Sequence, residues 1–188
     1  SSARDGFTAA ANLDGLLEAW TGSVLNIVSM NDDMHALDDC IREFDALVPA
    51  GQMRLVKSSL VMVSMISAVG YRNQGHPRLL EWFGHGMHLL ELGPSDAFES
   101  LTLCFGFSSG LAFLGDLTRV QRVREIAARI RAGAADNPAA QVFGCLSEAS
   151  MAILLGEPDK AVPAIEEGQA AAVSMGIPIW NHLLDFNG

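Results

Sequence analysis

The sequence predicts an all-α chain of about four stacked antiparallel helical hairpins, an α-solenoid with a repeat of about 40 residues. The first observation behind this is a recurring turn. Gly75-His76-Pro77, Gly115-Asp116-Leu117 and Gly156-Glu157-Pro158 are spaced by 40 and 41 residues, and a weaker Asn31-Asp32-Asp33 lies 44 residues before Gly75. The second is an asymmetry across each turn: the stretch before it is largely uncharged, and the one after it is amphipathic and charged. The third is periodicity. Apolar residues recur at three- and four-residue intervals and no run alternates apolar with polar for long, which favours helices over strands.

Nine helices are expected, the last incomplete. The first runs from about Thr8 to Met30 and the second from Asp33 to Leu47, with Ala36, Leu37, Cys40, Ile41 and Phe44 on one face. Pro49-Ala50-Gly51 breaks the chain, and the third helix spans Gln52 to Asn73. Within it, Val61-Met62-Val63-Ser64-Met65-Ile66 has a strand-like composition, but its length and its place before a repeat turn favour helix. The fourth runs from Pro77 to Leu92. Gly93-Pro94 stops it, and Ser95 or Asp96 caps the fifth, which ends at Leu114. The sixth, Asp116 to Arg131, aligns Val120, Val123, Ala127 and Ile130. The seventh follows Asp136-Asn137, carries Pro138 in its first turn, where no amide hydrogen is needed, and ends at Leu155. The eighth spans Pro158 to Met175, with Pro163 near its start, Gly176 as its C-cap and Pro178 beyond. A ninth begins after Gly176.

Charge-free stretches fall in odd-numbered helices, at Ala19 to Asn31, Ser58 to Tyr71 and Ser100 to Gly115. A helix that is apolar all round must be covered on several sides, so these helices are expected inside the stack or lining a groove, with the charged even-numbered helices outside.

Composition narrows the function classes. The 188 residues are 49% hydrophobic and 18% charged, which excludes a disordered tail. A net charge of −10 argues against direct nucleic-acid contact through nonspecific phosphate binding. The three cysteines, Cys40, Cys104 and Cys145, show no C-x-x-C spacing and read as reduced core thiols of a cytoplasmic protein. The longest charge-free runs, Ser100 to Gly115 and Gly168 to Leu184, are shorter than the ~18–20 apolar residues a membrane span needs. With no initiator Met and an incomplete last helix, residues 1–188 are expected to be a single helical-repeat domain cut from a larger protein.

The repeat resembles the tetratricopeptide family. Ala68, Ser108 and Ala149 are the small first-helix residues, each seven before a turn glycine, and Ala36, Leu80, Val120 and Ala161 stand early in the second helices. Ala127 and Gly168 fall where the family wants a second small residue. The period is longer than the family's ~34 residues. Ser64, Cys104 and Cys145 replace its first-helix Trp, and Arg124 stands where an aromatic or apolar residue is usual. Longer, degenerate repeats of this kind are similar to the helical-repeat segment of MalT-like, large ATP-binding LuxR-type bacterial transcription regulators. Leu114-Gly-Asp-Leu-Thr-Arg-Val through Ala127-Ala-Arg and Ser174-Met-Gly-Ile-Pro-Ile-Trp carry that likeness.

The resemblance implies a non-enzymatic sensor segment that binds a protein or small effector and communicates with other domains of the same parent chain. The alternative is a stand-alone scaffold that docks a protein partner. Carrying the family's groove positions over gives Met62, Met65, Arg72 and Asn73 from one repeat. The next gives Thr102, Phe105 and Ser109, and the next Phe143, Leu146 and Ser150. Such a Met- and Phe-lined groove suits an apolar peptide, a helix or a small organic effector. No cofactor is expected, and the residues leave the oligomeric state open, a dimer included.

Three other patterns carry chemistry. Gly106-Phe107-Ser108-Ser109-Gly110 matches G-x-S-x-G, but it falls inside a helix, and the last His, His182, precedes the nearby Asp185, the reverse of the order a hydrolase needs. His85 and His88 share a helical face without a third ligand in pattern, so no metal is expected. Five arginines crowd the sixth helix, among which Arg119, Arg122 and Arg129 form a candidate patch for an acidic partner.

Overall fold

The computed structural model of this chain describes residues 13–30, 33–93 and 96–176. Its regular elements are all helical: α1 (Leu13–Met30), α2 (Ala36–Leu47), a 3-10 turn (Met53–Leu55), α3 (Ser59–Arg72), α4 (Leu79–Leu92), α5 (Ala97–Leu114), α6 (Leu117–Gly133), α7 (Pro138–Leu154) and α8 (Pro158–Ser174). The all-α expectation therefore holds. Residues 8–12 of the first expected helix, the turn residues Asn31 and Asp32, the alternative cap Ser95 and the ninth helix lie outside the described residues. The chain divides into two compact units, residues 1–86 and 87–188, with the division falling inside α4.

In the first unit, α1 buries Leu17, Trp20, Thr21 and Val24, and α2 buries Leu37, Cys40, Ile41 and Phe44. Each set follows an i, i+3, i+4, i+7 pattern, one stripe on a 3.6-residue helix. Helix α1 packs on α2 and α3, and α2 packs on α3. An aromatic row runs through this core. Phe44 lies 4.9 Å from Trp20 and 6.0 Å, edge-on, from Trp82, which stacks on His76 at 4.4 Å. Trp20 also donates its Nε1 hydrogen to the Cys40 carbonyl at 2.8 Å, so the indole is satisfied while fully buried.

The third helix starts at Ser59, seven residues later than the expected Gln52. The Ser58 side chain accepts from the Leu60 and Val61 amides, and this cap sets the boundary. Before it, the chain turns through the 3-10 segment and buries Met53 and Val56. From Val61 to Val69 almost every side chain of α3 is buried, as its charge-free sequence implies.

In the second unit, α5 packs on α6 and α7, α6 on α7, and α7 on α8. Asp96, Asp116 and Asn137 cap α5, α6 and α7 by accepting from the Glu99, Arg119 and Ala140 amides at 2.8, 3.0 and 3.1 Å. Helix α6 buries Val120, Val123, Ile126, Ala127 and Ile130, which adds Ile126 to the expected stripe. Val142, Leu146, Ala149 and Ala152 of α7 share one cluster with Ala161, Ala164, Ile165 and Ala172 of α8. The short Leu155–Glu157 link turns α8 back along α7, and the alanines let the two helices approach closely.

The repeat register is clear in the second unit and altered in the first. Gly115 and Gly156 follow α5 and α7 in left-handed conformation, with φ of 64° and 74°, which glycine adopts without strain. Val120 and Ala161, five residues later, are buried, as are Ala127 and Gly168. Gly75 is not left-handed. Ala36 and Leu80, at the corresponding positions, are exposed, and their neighbours Leu37 and Leu79 are buried instead. The buried position thus falls one residue later in α2 and one residue earlier in α4, so equal sequence spacing does not give equal structure.

The aromatic row makes the first unit sensitive to Phe44. Phe44→Ala is expected to cost about 3–5 kcal/mol, measured by urea unfolding with tryptophan fluorescence. A loss below about 1 kcal/mol would show that the row is not a supporting contact.

Candidate functional site

The expected groove residues separate into buried and accessible sets. In the first unit, Met62 and Met65 are fully buried. They fill the core rather than line a groove, because α1 and α2 both cover α3. Arg72 is occupied by a carboxylate. Its Nε and Nη2 donate to the two oxygens of Asp38 at 3.0 and 2.8 Å, tying the end of α3 to α2. Asn73 is exposed and follows α3 as its C-cap. Of this set, only Asn73 stands open to a partner.

In the second unit the expected residues come together better. Phe105 of α5 and Phe143 of α7 are half-buried, with ring centroids 6.4 Å apart at 83°. Phe98 joins them at 5.0 Å from Phe143 and 81°, also half-buried. These edge-to-face contacts fix the rings against one another while leaving part of each accessible. Thr102 lies one turn from both Phe98 and Phe105 and returns its hydroxyl to the Phe98 carbonyl at 2.8 Å. Leu146 is fully buried beneath Phe143, a correction to its expected place on the groove wall. Ser150 is half-buried, and Ser109 belongs to α5 with its side chain outside the described ones.

The sequence reading missed Phe98. The signal was present, since Phe98 precedes Phe105 by seven residues, two helical turns on the same face. A hydroxyl fixes the register of the two helices that carry the rings. Ser147 Oγ is fully buried, 3.1 Å from the Leu101 carbonyl of α5 and 2.8 Å from Phe143 O of its own helix, sharing its hydrogen between them.

The arginines of α6 are mostly engaged. Arg119 pairs with Asp116 at 3.4 Å, and Arg122 with Glu91 and Glu125 at 3.4 and 3.5 Å. Arg124 is the most embedded of them. It contacts Glu148 through Nε at 2.9 Å and through Nη2, and reaches Glu157 at 2.6 Å. It thereby joins α6 to α7 and to the start of α8, which explains a charge at a position expected to be apolar. Arg131 meets Glu167 at 2.5 Å and Gln141 at 3.0 Å. Arg129 is exposed and, among the described residues, has no acidic partner. Among the described residues, the expected three-arginine patch therefore reduces to one cation without an acidic partner.

Arg129 also borders a pocket of about 260 Å³ with Leu90, Glu91, Ala97, Ile126 and Ile130. This pocket lies wholly within residues 87–188.

The remaining patterns resolve locally. Ser108 is buried inside α5 and donates to the Phe105 carbonyl at 2.6 Å, so it is not presented on a strand-to-helix turn. His85 Nε2 lies 2.7 Å from the Val56 carbonyl; the carbonyl can only accept, so that nitrogen carries the hydrogen. The three cysteines are buried, and burial pushes Cys104 up to about 12 and Cys145 up to about 11.

A scan against protein-family models, a search of curated proteins and a search of solved structures each found no match. Among the described residues no helix is long and apolar enough to cross a membrane.

Three carboxyls lie below their ordinary range: Asp38 through its hydrogen bond to Arg72, Glu81 through Arg78 and Glu157 through Arg124. Below about pH 4.3 the unfolded chain takes up these protons before the folded chain does. Their stabilising contribution is thus complete above that value and lost as pH falls through the depressed folded values. Stability is expected to drop on acidification below about pH 4, and Arg124→Gln to flatten that limb, in urea unfolding followed across pH. Identical acid limbs in the two proteins would refute the coupling of Arg124 to Glu157.

Proposed function

We propose that this chain is a helical-repeat binding module, and that the half-exposed edge of Phe98, Phe105 and Phe143 is its docking surface. The edge itself is the observation that carries this reading. It sets the Phe98 and Phe105 rings of α5 each against the Phe143 ring of α7, with part of all three rings accessible. Preformed aromatic surface of this kind buries large area at small cost in side-chain entropy, which suits it to anchor an apolar side chain of a peptide or helix.

The packing supports a tetratricopeptide-like arrangement of stacked hairpins. In each unit, one helix packs against the next helix in sequence and against the one after that: α1 on α2 and α3, and α5 on α6 and α7. This is the local geometry from which a solenoid is built. The left-handed glycines after α5 and α7 supply equivalent turns at equivalent places. On this reading α5 and α7 are the first helices of successive hairpins, the ones that line the inner surface of such a stack.

The sequence likeness to MalT-like regulators supports a sensing role. A ligand that binds one curvature of the stack more tightly than another would shift its population and so alter its contacts with neighbouring domains. The wide spacing of the three cysteines, without a C-x-x-C pair, supports a reducing, cytoplasmic setting.

A panel of amphipathic-helical and extended apolar peptides, titrated against the full chain by fluorescence anisotropy, tests the docking surface. At least one class is expected to bind, and Phe105→Ala and Phe143→Ala each to weaken it roughly tenfold, about what loss of an aromatic anchor costs. Unchanged affinity in both variants, with helicity retained by circular dichroism, would remove the aromatic edge as the site.

A further inference from the structure

The pocket beside Arg129 combines apolar walls with one cation that has no acidic partner among the described residues. Leu90 closes it from the end of α4, Ala97 from the start of α5, and Ile126 and Ile130 from α6. Leu90, Ile126 and Ile130 are themselves buried, so the floor belongs to the core and is already formed. Its volume of about 260 Å³ falls just below the ~300–1,000 Å³ typical of small-molecule sites, which limits the occupant to a few heavy atoms.

The charges around it favour an anion. Glu91, the acid in the lining, faces Arg122 at 3.4 Å, and Arg122 also meets Glu125. Glu91 is therefore partly neutralised without Arg129. The pocket also touches Gly133 and Ala134, where α6 ends and a helix dipole would repel an anion. That end is occupied: Gln141 Nε2 donates to the Arg131 and Ala134 carbonyls at 3.1 and 3.0 Å, and the Asn137 amide donates to Ala134 O at 3.0 Å. Among the described residues Arg129 has no such partner. Its guanidinium offers the fork geometry that matches a carboxylate.

We propose that this pocket binds a small monocarboxylate with a short apolar body, its carboxylate on Arg129 and its chain against Leu90, Ile126 and Ile130. The site shares no residue with the Phe98–Phe105–Phe143 edge and goes beyond the docking reading. It would make the second unit responsive to a small metabolite acid whether or not a peptide docks elsewhere.

Hexanoate, hexan-1-ol and hexylamine, titrated into the isotope-labelled full chain and followed by NMR, separate the charge from the chain. Hexanoate is expected to bind saturably at about millimolar concentration, as so few atoms allow. Its shifts should centre on Leu90, Ile126 and Ile130, and the alcohol and amine should bind roughly tenfold more weakly. Arg129→Gln should reduce hexanoate to the level of the alcohol, whereas Arg119→Gln, at an exposed arginine paired with Asp116, should leave it unchanged. Equal affinity for hexanoate and hexanol, an unaltered Kd in Arg129→Gln, an equal loss in Arg119→Gln, no saturable hexanoate binding or wild-type shifts confined to other residues would each overturn the proposal. None of these results would bear on the aromatic edge.

Discussion

A helix without a polar face has no side on which to meet water, and that constraint organises this protein. Helices α3, α5 and α7 bury residues around most of their circumference, so each needs cover from more than one direction. Helix α7 receives it from α5, α6 and α8, and α3 from α1 and α2. The charged helices take the solvent side because they alone can. Even the hydroxyls inside the apolar helices follow the same logic. Ser64, Thr102 and Ser147 each return a hydrogen to a carbonyl one turn back, whereas Thr21 Oγ1 and Trp82 Nε1 are buried without a hydrogen-bond partner.

Arginine provides much of the polar connection between helices. Arg72 joins α3 to α2, Arg124 joins α6 to α7 and the start of α8, and Arg131 joins α6 to Glu167 of α8 and Gln141 of α7. Arg78, just before α4, donates to Asp45 and to the Val48 carbonyl, while His76 approaches the same carboxylate at 3.2 Å. A planar guanidinium can satisfy two acceptors at once, which suits it to the places where helix ends converge. These bonds sit at the margins of the apolar layers. They orient helices that hydrophobic burial already holds together.

The helix order, the cap at Asp96, given with Ser95 as its alternative, and the buried stripe of α6 were legible in the residues, because each depends on local chemistry. The start of α3 was not. Ser58 is a good cap, but the unbroken pattern from Gln52 gave it no advantage, and only the burial of Met53 and Val56 against the rest of the unit selects the 3-10 turn. Groove residues were half legible for a similar reason. A family register marks which side of a helix faces inward, yet it does not tell whether a neighbour already occupies that side. Met62, Met65 and Leu146 are fully covered, whereas Phe105 and Phe143 are only half-buried. The arginine patch turned on both local and nonlocal partners: Asp116 and Glu125 lie within one turn of Arg119 and Arg122, but Glu91, which also meets Arg122, stands on another helix.

The several-sided burial of α7 has a consequence for how this sequence can change over evolutionary time. Helix α6 packs on α5 and α7, and α8 on α7, each with a face left to solvent, where a side chain can be exchanged with little effect elsewhere. Substitution on α7 is felt by three helices at once, and its small residues Gly144, Ala149 and Ala152 admit few replacements. Drift should therefore be fast in the charged helices and slow in α7. Distant relatives would be recognised by a pattern of small and apolar residues between two glycine turns rather than by any charge they share.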